Sequence, residues 1–129
     1  MKTLFNVDLF DNLLEIELEG VTIDLHNDYT CVSIKFIDNN LSISFNHDGS
    51  DEKIIIDFGD ALINKFNLPV MNPKGLTLDN FHRGRYEVDG VLYDEYHERR
   101  CYYIEFYEDG EMELLCKSVM IGSVGSVSD

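Results

Sequence analysis

The chain has 129 residues, 44% of them apolar, which fits one folded domain and argues against global disorder. Its 25 acidic residues outnumber the 10 lysines and arginines, so the formal net charge is −15. This balance argues against binding to nucleic-acid phosphates or to an anionic membrane surface, since both require clustered cations.

Two kinds of membrane-directed segment are not expected. The sequence has no apolar run long enough for a transmembrane helix. Asp8 interrupts the opening residues before the apolar core of a signal peptide would form.

Period-two alternation of apolar and polar residues dominates the first half of the chain and is typical of strands with one buried face. It predicts strands at residues 14–19, 21–25, 31–36 and 41–45, separated by turns rich in Asn and Asp. Residues 53–58 are more continuously apolar and predict a fifth, central strand. Because short turns connect antiparallel neighbours, this half is expected to form a meander.

Two segments have apolar residues at a spacing that favours a helix. Leu62, Ile63 and Phe66 would share one face of a helix at residues 61–66, and the prolines that follow would end it. Residues 6–13 have a similar spacing. The segment 61–66 is also compatible with a strand, so both interpretations stay open.

The second half returns to strands and contains two hairpin signals. Asp89-Gly90, within residues 85–93, is typical of a two-residue turn between antiparallel strands. The sequence Glu108-Asp109-Gly110 separates two further predicted strands at residues 100–107 and 111–116.

The predicted fold is mainly β (α+β). An antiparallel meander would form a sheet, sandwich or half-barrel of about eight to ten short strands with one or two short helices. We expect one globular domain over residues 1–121 and a flexible Gly-Ser-Val tail over residues 122–129.

The three cysteines, Cys31, Cys101 and Cys116, are widely spaced and odd in number, which is atypical of a secreted disulfide scaffold. We interpret them as buried thiols and expect a cytoplasmic protein. The histidines do not occur at metal-ligand spacings, and no glycine motif for phosphate binding is present. The sequence therefore predicts neither a metal site nor a cofactor.

One polar group has the composition of an active site: His82, Arg83, Arg85 and His97. These residues would supply a general base and an anion clamp. No serine or cysteine nucleophile accompanies the histidines at a familiar spacing, so cross-strand ion pairing is the preferred interpretation and no catalytic residue is predicted. A small enzyme or ligand-binding barrel that uses these four residues is kept as an alternative.

The acidic residues form two clusters along the sequence. Glu15, Glu17 and Glu19 alternate along one predicted strand, which would place their side chains about 6.8 Å apart on one face. The second cluster surrounds the late hairpin and includes two tyrosines; it comprises Tyr103, Glu105, Tyr107, Glu108, Asp109, Glu111 and Glu113. Like charges in such ladders repel, and a cationic partner would relieve the repulsion.

Both clusters are predicted to bind a basic protein partner, without direct contact to nucleic acid or membrane. Six tyrosines lie between residues 86 and 107 with acids among them, and tyrosine beside carboxylate is typical of protein-binding hot spots that face arginine and lysine. Core packing accounts for some of them, so Tyr102 or Tyr103 is expected to point inward. The alternative interpretation is a solvated face that promotes solubility and protects an edge strand.

In character, the chain resembles the small, acidic, single-domain immunity proteins that bacteria pair with polymorphic or contact-delivered toxins. The resemblance depends on residues 10–19 (FDNLLEIELE) and residues 101–113 (CYYIEFYEDGEME). It implies a cytoplasmic blocker that covers the active site, or an adjacent surface, of a basic toxin domain, often a nuclease. A phage-type inhibitor that imitates nucleic acid with its carboxylates is the alternative, and would bind many nucleic-acid enzymes where an immunity protein binds one.

Overall fold

The computed structural model describes residues 2–68, 75–107 and 109–124. Over these residues the chain forms thirteen antiparallel β-strands and no helix. The prediction of a mainly β, antiparallel fold is therefore confirmed, and the short helices expected at residues 61–66 and 6–13 are absent. In the described part of the chain, no helix is long and apolar enough to cross a bilayer.

The larger sheet has five strands. In spatial order they are β1 (Lys2–Phe5), β13 (Ser118–Val124), β6 (Lys53–Gly59), β5 (Asn40–His47) and β4 (Tyr29–Ile37). The predicted meander is confirmed for β4, β5 and β6, and β6 is the central strand as expected. The predicted tail is corrected in part, because Gly122 is buried and residues 122–124 belong to β13. The remainder, residues 125–129, lies outside the described residues.

The smaller sheet has four strands, in the spatial order β7 (Leu62–Asn67), β12 (Glu111–Cys116), β11 (Arg100–Phe106) and β8 (Leu78–Gly84). Two hairpins stand beside the sheets: β2 (Glu15–Leu18) with β3 (Val21–Asp24), and β9 (Tyr86–Val88) with β10 (Val91–Tyr93). Asp89 and Gly90, at φ 51° and 82°, form the predicted turn between β9 and β10.

The two larger sheets share a corner at which paired strands pass from one sheet to the other. Gly59 of β6 pairs with Ser118 of β13 in the larger sheet, and Leu62 of β7 pairs with Leu115 of β12 in the smaller sheet. The β6–β7 and β12–β13 connections therefore pass between the sheets at the same level. The core includes residues of both sheets: the ring of Phe58 lies 5.9 Å from that of Phe81 and 5.8 Å from that of Tyr102. The corner therefore fixes how the inward faces meet.

A bulge explains why residues 61–66 resemble a helix and yet form a strand. Ile63 pairs with Leu114 and Phe66 with Met112, and the register shifts between Glu113 and Leu114. Leu114 and Met112 both point into the core. The extra residue on β7 lets Ile63 and Phe66 share one face of a strand although they are three residues apart.

The segment predicted as a helix at residues 6–13 instead lies along the edge of β8. The amide of Phe10 donates to the carbonyl of Arg83 at 2.8 Å, and the amide of Leu13 donates to that of Phe81 at 2.7 Å. Asn12 pairs with His82 in the same ladder. These bonds supply the partners that a helix would have provided internally and cover the free edge of β8.

Candidate functional site: an acidic cleft on the four-stranded sheet

Alternation along β11 and β12 separates core residues from acidic residues. Side chains that point inward are buried and apolar: Tyr102, Ile104, Met112 and Leu114. The intervening side chains point away from the core: Tyr103, Glu105, Glu111 and Glu113. Four of the predicted partner-binding residues therefore share the outward face of one sheet.

The register places these four residues in adjacent rows. Tyr103 lies opposite Glu113, and Glu105 lies opposite Glu111. Residues that face each other across an antiparallel pair have Cβ atoms about 5 Å apart, and like charges at that distance are destabilising. The pair Glu105 and Glu111 is therefore unfavourable in the isolated protein, as the sequence analysis expected for acidic ladders.

The outward face forms an open cleft of about 310 Å³. Its lining combines three carboxylates with a lysine, a histidine, a tyrosine and a methionine: Glu105, Glu111, Glu113, Lys65, His82, Tyr103 and Met112. Lys65 forms an ion pair with Glu111; the hydrogen bond to Glu111 is the main cause that raises the pKa of Lys65, followed by the charges of Glu111 and of Glu113. Both partners of this pair are exposed, so the pair contributes little stability.

Tyr103 forms a wall of the cleft and is held on three sides. Its ring stacks on His82 with centroids 5.4 Å apart, and its hydroxyl donates to the backbone carbonyl of Arg85. The ring also covers the backbone of Gly84. Tyr103 is only half-buried, and its ring is fixed in place by these contacts.

The acidic surface continues from the cleft toward the β9–β10 hairpin. Burial is the main cause that raises the pKa of the Tyr103 hydroxyl, followed by a hydrogen bond with Cys101. The charges of Glu113 and of Glu87 on β9 raise it further. Both carboxylates therefore lie close enough to Tyr103 to act on the same group.

The turn between β11 and β12 confirms the second predicted hairpin. The amide of Phe106 donates to the carbonyl of Gly110 at 2.8 Å, and the amide of Tyr107 donates to that of Thr77 at 2.8 Å. The side chain of Tyr107 is 74% exposed, and Asp109 is exposed beside it. Glu108, which was also predicted to bind a partner, lies outside the described residues.

The structure keeps only two of the three glutamates of the first acidic cluster together. Glu15 and Glu17 are exposed on one face of β2, with Glu15 opposite Asp24 on β3. Glu19 lies in the turn after β2 at φ 53°, beside Gly20, and so leaves the alternation. The predicted strand at residues 14–19 therefore ends at Leu18, and Glu19 contributes to a different depression, next to Glu52.

Glu15 lies in a second cleft, of about 380 Å³, with Asp24 and His26. Asp24 is engaged within its own turn, because the side chain and then the amide of Asn27 donate to it and lower its pKa. His26 contacts the carbonyl of Leu78 at 2.5 Å and so fixes this hairpin to β8.

The four residues of the enzyme alternative are not brought together. His82 and Arg83 are neighbours on β8 and point to opposite faces, so His82 lines the acidic cleft while Arg83 is buried. Arg83 donates to the carbonyl of Val7 at 2.8 Å. His97 is exposed in a tight turn at φ 52°. No cleft within the described residues contains all four.

Two of the four arginines of this region, Arg85 and Arg99, form ion pairs, whereas Arg83 and Arg100 donate to neutral oxygens. Arg85 donates to Asp94 at 2.7 Å, across the base of the β9–β10 hairpin. Arg99 donates to Asp60 at 2.8 Å, at the corner between the sheets. These pairs support structure and are separate from the acidic cleft.

The cysteines behave as buried, apolar side chains. Cys31, Cys101 and Cys116 are buried, as expected. Burial raises the pKa of Cys101 to about 11 and that of Cys116 to about 12, so both thiols are protonated at neutral pH. Among the described residues, no group of three or more His, Cys, Asp or Glu is placed to hold a metal ion.

The acids are distributed unequally between the two larger sheets. In the strands of the five-stranded sheet, Asp57 is the one acidic residue, and it is buried beside Ser42 and Asn40, which donate to it. The other acids of that part of the molecule lie in turns, such as Asp38 and Asp51. The strands with outward carboxylates belong to the four-stranded sheet and the two hairpins.

Sequence reasoning missed two residues of this surface. The sequence leaves residues 61–66 open between a helix and a strand. Lys65 lies beside Glu111 and Glu113 because this segment forms a strand with a bulge. Glu87 was not selected, although it alternates with Tyr86 and Val88 in a recognised hairpin.

In comparisons with known proteins, no family model, no curated protein and no solved structure matches this chain.

Proposed function

We propose that this protein is an acidic protein-binding inhibitor, namely an immunity protein that neutralises a cognate basic toxin, such as a nuclease, in the cytoplasm. The observation that carries the proposal is the outward face of the four-stranded sheet. On that face Glu105, Glu111 and Glu113 converge around one open cleft. The proposed role is binding, without catalysis and without a cofactor.

The unfavourable pairing of Glu105 with Glu111 supports a cationic partner. Lys65 forms an ion pair with Glu111 and lies directly opposite Glu113, so one lysine serves two of the three carboxylates of the cleft. A lysine or arginine from a partner would relieve the remaining repulsion on binding. Bidentate arginine–carboxylate bonds fit this role, since they combine charge with directional hydrogen bonds.

The mechanism has two stages. A negative surface attracts a positive partner over long range and raises association rates by about 10–10³-fold at low salt. The complex is then held by a few anchors that become desolvated on contact. Tyr107 is exposed and available for that role, while Tyr103 shapes the cleft.

The alternative of a nucleic-acid-mimicking inhibitor is distinguished by the number of partners. We expect purification of the chain from its native host at low salt to recover one basic protein, whose gene lies beside that of the inhibitor. Recovery of several unrelated nucleic-acid enzymes would favour mimicry. Recovery of no basic protein at low salt would contradict the proposed function.

The contribution of the cleft is tested with the recovered partner by stopped-flow mixing. Replacing Glu111 and Glu113 together by lysine should slow association about tenfold or more at low salt and flatten its dependence on salt concentration. The matched control replaces Asp28 and Asp51, two exposed acids outside the cleft, by lysine and so changes net charge equally. Equal effects of the two double variants would show that net charge acts and the cleft does not.

A further inference from the structure

The β9–β10 hairpin exposes apolar side chains outside the acidic cleft. Within the described residues, each of its strands pairs only with the other. Val91 is 51% exposed and Leu92 is 57% exposed, and both lie on β10. A two-stranded hairpin alone is marginally stable in water. The apolar side chains on its surface stay in contact with water unless a partner covers them.

The hairpin is nevertheless held rigidly at its base. The ring of Tyr96 lies 5.1 Å from both Tyr86 and Tyr93, and thereby connects the two strands to the following turn. Arg85 pairs with Asp94 and also lies over the ring of Phe10, 5.0 Å from its centroid. A surface that is already ordered loses little conformational entropy on binding.

The negative charge of the hairpin and of the turn after it indicates which kind of partner surface would cover them. Residues 86–98 include five carboxylates and no lysine or arginine: Glu87, Asp89, Asp94, Glu95 and Glu98. Leu92 lies directly opposite Glu87, so one face of the hairpin presents an apolar side chain beside a carboxylate. Such a face complements a surface that combines cations with an apolar contact.

We infer that the β9–β10 hairpin is the anchoring element for a cationic protein surface, with Leu92 as its apolar contact. This inference rests on the proposed function. The hairpin makes the contact that becomes desolvated on binding, and the cleft supplies the long-range electrostatic attraction. Tyr103, a wall of the cleft, donates to the carbonyl of Arg85, the residue before β9, so the hairpin begins where the cleft ends. A partner surface that reaches the cleft therefore also lies within reach of the hairpin.

Two synthetic peptides separate the anchor from the attraction. One is a seven-residue peptide of alternating lysine and leucine, and the other is heptalysine. Backbone amide NMR shifts are followed during titration of the full chain. We expect the alternating peptide to shift residues 86–93 as well as the cleft, and heptalysine to shift chiefly the cleft residues Glu105, Glu111 and Glu113.

Substitutions then test the apolar contact. Leu92→Ser should weaken binding of the alternating peptide about tenfold and leave heptalysine binding unchanged. Leu4→Ser is the matched control, since Leu4 is 65% exposed on β1 of the other sheet. Urea unfolding of each variant verifies that the fold is retained.

The outcomes distinguish the two claims. If Leu92→Ser binds the alternating peptide as the unsubstituted chain does, or if residues 86–93 do not shift, the anchor is overturned and the proposed function stands. If neither peptide shifts the cleft or the hairpin, both the anchor and the proposed cationic partner are overturned.

Discussion

Gly84 shows how one residue shapes the candidate site. A Cβ atom at this position would lie 2.6 Å from the ring of Tyr103, closer than side-chain carbon atoms approach each other. Glycine therefore lets the Tyr103 ring lie flat over β8 and reach His82 and the Arg85 carbonyl. The wall of the cleft depends on the absence of a side chain.

Gly84→Ala should lower the free energy of unfolding by about 1–3 kcal/mol, because the ring must move or the strand must shift. Urea denaturation measures this change. Gly49→Ala is the control, since a Cβ at Gly49 would meet only His47 at an ordinary 3.6 Å, and it should change stability by less than about 0.5 kcal/mol. Equal stability of the two variants would contradict the proposed packing of Tyr103.

Sequence alone predicted the three carboxylates of the cleft but not the contacts that fix Tyr103 beside them. The shared face of Glu105, Glu111 and Glu113 follows from simple alternation in a hairpin. Of Tyr102 and Tyr103, between which the sequence does not decide, Tyr102 is the one that points inward. The immobilised position of Tyr103 depends on Gly84, which is distant in sequence and adjacent only through strand pairing. Contacts between strands far apart in sequence leave no local pattern to detect.

At the scale of elements, the corner between the sheets is the feature that orients the cleft. Asp60 lies between β6 and β7 at φ 51° and accepts from Arg99 at 2.8 Å, while Lys117 approaches it at 3.2 Å. Lys117 lies between β12 and β13, and Arg99 lies just before β11. The two ion pairs therefore connect the β6–β7 connection to the β12–β13 connection and to the start of β11. Hydrogen bonds from Arg99 and then Lys117 lower the pKa of Asp60.

Asp60→Asn tests this brace through its dependence on pH. A lowered pKa in the folded state stabilises the fold above the ordinary pKa of aspartate, and this contribution is lost as the pH falls through the lower folded value. We therefore expect the variant to melt at a lower temperature than the unsubstituted chain at pH 7, and the difference to diminish below pH 4. Asparagine also adopts the positive φ, so the backbone itself is not strained. A difference in melting temperature that is constant from pH 7 to pH 2 would contradict the charge-based explanation.

Strands were predicted where the residues of a turn specify the backbone conformation locally. They were not predicted where pairing between strands distant in sequence determines the structure. Asp89-Gly90 specifies its hairpin locally. In contrast, the sequence leaves residues 61–66 open between a helix and a strand, because a bulge in β7 gives Ile63 and Phe66 a helical spacing. The strand β13 was missed because its small residues resemble a linker, although Gly122 is buried between two neighbouring strands.

At the scale of the whole molecule, the net charge of −15 is concentrated by the topology. The five-stranded sheet has one buried acid in its strands, whereas the four-stranded sheet and the β9–β10 hairpin display an outward series from Glu111 to Glu87. Composition predicted the sign and size of the charge. The positions of the outward acids relative to one another could not be predicted, because they depend on the order of strands in the two sheets.

The most direct test measures the local electrostatic potential of the folded chain, with no partner required. Two nitroxides of equal size, one positively and one negatively charged, are added separately, and their relaxation effects on each backbone amide proton are compared by NMR. We predict a strong preference for the positive nitroxide at Glu105, Glu111, Glu113 and Glu87, and nearly equal effects at Ser44 and Ile55, which lie opposite each other in the five-stranded sheet. A uniform preference over the whole surface would contradict the central claim that the acids form one functional face.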